Sequence, residues 1–401
     1  MKKRSVLICS HAMEIGGAER SLLDLLYSFN YELYNIDLFL YRHSGEWMKD
    51  IPPNTNLLPE NSKYASLLVP MSTLVKNKKW DVLLFRLLGK FLSGIYSKRN
   101  HLKRSAVAIE YSHKYTRYCL PKLQEGKLYD LAISFLTPHY FVAEKVNARR
   151  KAAWIHTDYE TIDVNVKSEL KMWSQYDYIV SISKDCTKSF LNKFPTLSGK
   201  IIEIENILSA DLIKMKAGEH CAEIFDNSNL NLLSIGRFSE AKNFDNVPEI
   251  CQRIRKKGLD VKWYLIGYGG DEQLIRSKIQ EYGMEEYVII LGKKENPYPY
   301  IKACDVYIQP SRYEGKCVAV REAQMLAKPV IITNYATSAS QLEAGVDGMI
   351  VPLDIEECAN AISEIIQNKD LLKKLSENCR QRDYSNMEEL QKLYRLMENE
   401  D

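Results

Sequence analysis

Short apolar runs alternate with longer stretches of helical period from one end of this chain to the other. That alternation constrains the fold more than any other feature, because parallel strands buried on both faces read as near-continuous apolar runs and each pair needs a helical crossover. The chain is therefore expected to be α/β. In the first half the runs fall at 6–9, 36–41, 131–135, 153–156, 178–181 and 201–204, and in the second at 230–235, 261–266, 288–291, 306–309 and 330–332. Between them, Phe244, Val247, Ile250, Cys251 and Ile254 mark one face of a helix. At 401 residues the chain has room for two or three domains, and two sheets are expected rather than one. The strand signals stop over 206–229, where Asp226-Asn227-Ser228-Asn229 forms a polar turn cluster. This segment is read as a linker between a domain at 1–205 and another at 230–380, with 381–401 as a C-terminal tail. Open parallel sheets bind ligands beyond the carboxyl ends of their strands, so chemistry is sought in the loops that follow strands.

Charge and cysteine content narrow the class. Fifty-five Lys and Arg against 52 Asp and Glu leave a net +3, too weak a balance to suggest nucleic acid as a partner. Nine cysteines contain no C-x-x-C pair and no zinc spacing, and read as reduced thiols of a cytoplasmic protein. Behind the basic start, only Val6, Leu7, Ile8 and Cys9 are apolar before Ser10 and His11, too short a run for a secretory signal. No window approaches the roughly 18 apolar residues of a spanning helix. One local charge stands out: residues 76–104 hold nine Lys or Arg against Asp81 alone. A helix over 80–96 gathers Gly89, Ser93, Arg86 and Lys90 on one side, with large apolar residues around the rest. Two readings stand, peripheral contact with an anionic membrane on its inner face or a core helix with a solvated basic rim.

Among standard signatures, every Gly-Lys pair lacks the following Ser or Thr of a phosphate loop, and no H-E-x-x-H, Asp-x-Asp or EF-hand spacing occurs. No metal site is expected. Gly267-Tyr268-Gly269-Gly270 follows a strand, but Glu272 stands where a dinucleotide fingerprint needs its third glycine, which disfavours a nicotinamide enzyme. What remains are anion-binding pieces in equivalent positions of the two halves. The first strand runs into Gly16 and Gly17 ahead of a helix, where exposed N–H groups favour phosphate. In the second half, Gly236 and Arg237 precede Lys242 on the loop after a strand, a pair able to neutralise a diphosphate in place of a divalent cation. Glu314-Gly315-Lys316-Cys317-Val318 follows the strand at 306–309, and the helix beginning near Val318 carries Glu322. Eight residues at helical rise span roughly 12 Å, so Glu314 and Glu322 suit the two ends of a nucleotide sugar. Each piece alone also reads as an ordinary turn or surface charge; their conjunction favours the site.

Together, Glu314-x7-Glu322, Gly236-Arg237 with Lys242, Gly16-Gly17-Ala18-Glu19-Arg20 and Gly267-x-Gly269 resemble the retaining GT-B glycosyltransferases of family 4. The form of the motifs is similar to bacterial enzymes that build capsule, teichoic acid and other envelope polysaccharides. The resemblance implies two Rossmann-like doubly wound domains facing across a cleft, the first binding acceptor and the second the nucleotide sugar, with 381–401 forming a helix that crosses back to the first. It implies a hexosyl- or N-acetylhexosaminyl-type transferase that uses a nucleoside diphosphate sugar, UDP favoured over GDP, without a metal or resident cofactor. A glycan or lipid-linked acceptor is the implied partner. Glu322 would hold the ribose and Arg237 with Lys242 the diphosphate. Glu314 and the main chain of Lys316, Cys317 and Val318 would hold the donor sugar, with Gly236 and Gly267 lining the site. Gly16 and Gly17 would close over the reaction centre. His156, at the end of the run 153–156, resembles the family histidine that reaches the donor sugar; a plain structural hydrogen bond is the other reading of it. Lys316 and Cys317 depart from the commoner Phe-Gly after Glu-Gly, which touches the donor-sugar pocket. Front-face and double-displacement routes both remain open, as do two other assignments: a phosphorylase or epimerase of the same fold, and a non-catalytic sugar-nucleotide-binding subunit.

Overall fold

A computed structural model of the chain describes residues 3–14, 16–102, 105–219, 225, 228–314 and 317–398. The chain divides into two units, Met1–Leu208 with Asn386–Asp401, and Ser209–Ser385.

The first unit holds a seven-stranded parallel sheet built from β1 (Arg4–Ser10), β2 (Tyr34–Leu40), β3 (Asn56–Leu57), β4 (Tyr129–Ser134), β5 (Ala148–Ile155), β6 (Tyr178–Ser181) and β7 (Ile201–Glu203). Its order is β3-β2-β1-β4-β5-β6-β7. The second unit holds β8 (Leu230–Ile235), β9 (Val261–Ile266), β10 (Val288–Gly292), β11 (Val306–Gln309), β12 (Val330–Thr333) and β13 (Met349–Val351), ordered β10-β9-β8-β11-β12-β13 and again all parallel. The apolar runs become central strands because both faces are covered: Val6, Leu7 and Ile8 of β1 are fully buried, as are Leu232 and Leu233 of β8. Each sheet reverses its strand order once, between β1 and β4 and between β8 and β11. In a doubly wound sheet that reversal opens a crevice at the carboxyl ends of the two strands.

Two boundaries differ from the sequence reading. The stretch 206–229, expected as a linker, carries the helix Ala210–Ala217, whose N-terminus is capped by Ser209 Oγ accepting the Leu212 N–H at 3.2 Å. Ile213 and Ala217 pack with Tyr298 and Ile301 in the second unit's core, so the unit begins at Ser209 rather than at Leu230. One short helix with three buried apolar residues, Leu212, Ile213 and Ala217, leaves too little periodicity to stand out. Cys221, Asp226 and Asn227 lie outside the described residues. At the other end, Ser385 closes the second unit and the helix Met387–Arg395 belongs to the first. Its Tyr394 stacks on Tyr34 at 4.2 Å, and its hydroxyl accepts the Asn30 N–H at 2.9 Å. Asn386 Oδ1 accepts the Leu208 N–H and its Nδ2 donates to the Asn206 carbonyl, both at 3.0 Å.

The helix Trp80–Arg99 is not a core helix. It packs by its small residues: Gly89 and Ser93 are buried, and a Cβ at Gly89 would stand 2.8 Å from the Tyr111 carbonyl oxygen of the neighbouring helix Val107–Thr116. Gly89→Leu should force the two helices apart and cost about 1–3 kcal/mol, as overpacking does, read as a lower urea midpoint. An unchanged midpoint would contradict the close approach.

Candidate active site

Both strands flanking the reversal in the second sheet end in charged loops. β8 runs into Gly236 and Arg237, then a short turn, Glu240–Lys242, closed by Asn243 in the left-handed conformation (φ 59°). β11 runs through Pro310, Ser311, Arg312 and Tyr313 to Glu314, ahead of the helix Val318–Met325. The two loops are bound to each other. Asn243 Nδ2 donates to the Pro310 carbonyl at 2.8 Å, and the Arg312 N–H to the Ala241 carbonyl at 2.8 Å. The Arg312 guanidinium forks onto both carboxylate oxygens of Asp245, at 2.8 and 2.7 Å. A bidentate pair fixes orientation as well as distance.

Within this frame Lys242 Nζ lies 2.5 Å from Glu314 Oε1. The same oxygen accepts from Ser311 Oγ at 2.6 Å. Behind it, Gln309 Nε2 donates to Ser311 Oγ at 2.9 Å, and Tyr307 donates its hydroxyl to Gln309 Oε1 at 2.8 Å. Thr337 Oγ1 holds the Glu314 carbonyl at 2.7 Å. Glu314 is thus positioned by a buried polar relay from β11. The Lys242 stem lies across Gly236, where a Cβ would meet Lys242 carbons at 3.2–3.3 Å. Gly267 and Gly269, after β9, pass so close that their Cβ atoms would stand 1.9 Å from the Gly236 carbonyl oxygen and 2.2 Å from that of Phe238.

Gly236, Lys242, Gly267 and Glu314 therefore form one contiguous network. Glu322 lies on the following helix, where Tyr298 donates its hydroxyl to Glu322 Oε1 at 2.5 Å. Arg237 is exposed, and its side chain has no ion-pair partner among the described residues. Cys317 caps the helix; burial pushes its thiol up to about 11, and Gln341 grips its N–H at 2.8 Å. Val318 is exposed at the helix start. Gly315 and Lys316 lie outside the described residues. In one respect the arrangement differs from expectation: Lys242 does not stand free for a diphosphate but is paired with Glu314. Both side chains are largely withdrawn from water, so each needs a partner of opposite charge. Chemically, the crevice offers an exposed guanidinium, a shielded ammonium–carboxylate pair and a helix N-terminus whose first turn has no acidic residue, a combination suited to a phosphate-bearing ligand.

In the first unit, Gly16 caps the helix Gly17–Ser28. A Cβ at Gly16 would stand 2.2 Å from Glu19 Oε2, while Gly17 has open space at its Cβ. The helix end read as a phosphate site thus carries the chain's own carboxylate, whose pKa burial raises. His156 follows β5, its ring 4.5 Å from Phe135 and parallel to Trp154 at 6.2 Å. Its Nε2 has no hydrogen-bond partner among the described residues, and burial lowers its pKa to about 4. His11, after β1, is lowered to about 4 in the same way, and His113 and His139 lie well below 6.5. Unfolded histidine takes up a proton near pH 6.5 while these stay neutral, so folding loses stability from about pH 6.5 down to about 4. Glu169, raised by burial to about 7, works in the opposite sense between pH 7 and 4.5, but is outnumbered. The urea midpoint should fall between pH 7.5 and 5 by the equivalent of about 1 kcal/mol or more. A midpoint that holds or rises would mean that the imidazoles are solvated.

This network lies within a region that matches a known family. Residues 222–382 match the family model described as glycosyl transferases group 1. The second unit is a group 1 glycosyl transferase domain. Curated relatives of the chain include a putative colanic acid biosynthesis glycosyltransferase of Salmonella typhimurium, 29% identical over 133 residues, which are 31% of this chain and 32% of that protein. Another is the Campylobacter jejuni N-acetylgalactosamine-N,N'-diacetylbacillosaminyl-diphospho-undecaprenol 4-alpha-N-acetylgalactosaminyltransferase, 25% identical over 208 residues, 52% of this chain and 55% of that one. The chain thus matches about a third to just over half the length of these relatives. Among solved structures, TarM of S. aureus superposes with TM-score 0.60 at 14% identity over 99% of both chains. Anabaena HepE in complex with UDP and glucose does so with TM-score 0.56 at 16% identity, over 98% of this chain and 99% of that one. At these identities the likeness establishes the fold, which is GT-B.

The glycosyl transferase domain contains functional contacts that the sequence reading missed. Ser311, Arg312 and Gln341 were visible as letters, but nothing local pairs Arg312 with Asp245 or Tyr298 with Glu322. A buried strand ending in Gln309, then Pro and Ser, was the one usable signal for the relay behind Glu314. Among the described residues no group of three or more His, Cys, Asp or Glu is arranged to hold a metal ion.

Proposed function

We propose that the chain transfers a sugar from a nucleoside diphosphate donor to an acceptor hydroxyl in the synthesis of a bacterial surface polysaccharide, with retention of anomeric configuration and without a metal. The observation that carries this reading is the Lys242–Glu314 pair beside an exposed Arg237 at the reversal of the second sheet. Departure of a diphosphate leaves two or more negative charges, and preorganised cations lower that barrier most. Arg237 and Lys242 take this role, and donor binding releases Lys242 in part from Glu314. Glu314 then turns to the donor-sugar hydroxyls, with the main chain of Lys316, Cys317 and Val318. Glu322, steadied by Tyr298, accepts from the ribose.

Support for a UDP donor comes from HepE, solved with UDP and glucose. Support for the polysaccharide role comes from relatives described in colanic acid and amylovoran biosynthesis. A panel of UDP-, GDP- and TDP-sugars, assayed for nucleotide release with a lipid-linked or glycan acceptor and excess EDTA, tests the reading. Acceptor-dependent release with one donor, undiminished by EDTA, is expected. Activity that requires inorganic phosphate, or sugar interconversion without acceptor, would replace transfer with the phosphorylase or epimerase assignment.

A further inference from the structure

The helix Trp80–Arg99 presents its apolar side to water. Trp80, Leu84, Leu87, Leu88, Phe91 and Ile95 are 57, 65, 47, 39, 66 and 50% exposed. At helical pitch they fall on a single stripe about 100° wide and run most of a helix about 30 Å long. The inward side is made of the small residues Gly89 and Ser93 with Val82. This inverts the usual arrangement of a surface helix, in which large apolar side chains face the core.

The charges of residues 76–104 are nearly all of one sign, nine Lys or Arg against one Asp. Asp81, the sole acid between 76 and 104, is bound to Lys63 at 2.6 Å. Arg86 is used internally, donating to the carbonyls of Ser66 and Val69 at 2.8 and 2.7 Å, and Lys79 reaches Ser62 Oγ at 2.8 Å. Lys76, Lys78, Lys90, Lys98 and Arg99 remain exposed, with no carboxylate partner among the described residues. Lys103 and Arg104 lie outside those residues.

We propose that this face docks on an anionic lipid surface, with the Trp80–Ile95 stripe immersed at the headgroup–acyl boundary and the flanking cations against lipid phosphates. An exposed apolar stripe alone would accept many occupants, but the charges select among them. Pairing with a second copy about a two-fold axis would bring like cations together, whereas an anionic bilayer neutralises them and receives the apolar side chains at once. Among the described residues no helix is long and apolar enough to cross a membrane, so the attachment is to one surface. Docking of this face does not depend on the transfer reaction.

The test is co-sedimentation of the full chain with vesicles of phosphatidylcholine alone or mixed with phosphatidylglycerol, for wild type and a Leu84→Glu, Phe91→Glu double variant. Wild type should bind the phosphatidylglycerol vesicles, less so at high salt. The variant should lose about tenfold or more in partitioning, with an unchanged circular-dichroism melt because both side chains point to water. Equal binding of the two proteins, or no binding by wild type, would overturn the proposal. So would self-association of wild type that the same substitutions abolish, since that would make the face an interface between copies.

Discussion

Arg237→Ala lowers the rate of sugar transfer by about 10²- to 10³-fold, the range seen when one preorganised electrostatic donor is removed, while thermal stability stays at the wild-type value. The separation of these effects follows from the position of the side chain. Arg237 is exposed and makes no ion pair among the described residues, so its removal leaves nothing buried without a partner. Lys242→Ala behaves differently. It strands the Glu314 carboxylate, whose side chain is only 10% exposed, and breaking such a pair costs stability, by up to about 3–5 kcal/mol for a fully buried one. Steady-state kinetics and thermal melts on both variants separate the two roles. Near-wild-type turnover in Arg237→Ala would remove that residue from the reaction.

Gly267→Ala has the largest structural effect expected. The backbone there has φ +156°, and an added Cβ would stand 1.9 Å from the Gly236 carbonyl oxygen and 3.0 Å from its carbonyl carbon. The obstacle is main chain, which cannot swing aside as a side-chain tip would. The loop after β9 must therefore withdraw from the loop after β8, breaking the hydrogen bond from the Gly236 N–H to the Ile266 carbonyl (3.0 Å) or that from the Phe238 N–H to the Tyr268 carbonyl (2.9 Å). A loss of about 3 kcal/mol or more and a donor KM raised about tenfold or more are the expected outcomes. Urea unfolding and donor titration of the variant measure both. A variant with wild-type stability and KM would show that the two loops are not held in contact.

The architecture was legible because its signal is carried by burial. β1, β8 and β9 are interior strands of their sheets, paired on both sides, and their apolar runs need no context to be read. β3, with two residues, and β13, with three, are edge strands too short to produce a pattern. The helix Ala210–Ala217 was hidden within a polar stretch, which moved the domain boundary. In the site, Gly236, Lys242 and Glu314 were legible because they fall together on loops that follow strands, where open parallel sheets bind their ligands. Their mutual pairing was not, since Lys242 and Glu314 are 72 residues apart and no local rule joins them. The helix Trp80–Arg99 left two readings open for the same cause. Periodicity gives the angle between residues, but which side faces inward depended on Gly89 meeting Tyr111.

In the function proposed, the crevice of the second unit binds a nucleoside diphosphate through Glu322, Arg237 and Lys242 without a metal. A thermal-shift titration with UDP, GDP, TDP and ADP, with and without EDTA, on wild type and Glu322→Ala, tests it most directly. One nucleotide should raise the melting temperature of wild type, by an amount that follows RT ln(1 + [L]/Kd), equally with EDTA, and the rise should vanish in Glu322→Ala. No rise with any nucleotide, or an equal rise in the variant, would contradict the assignment of the site.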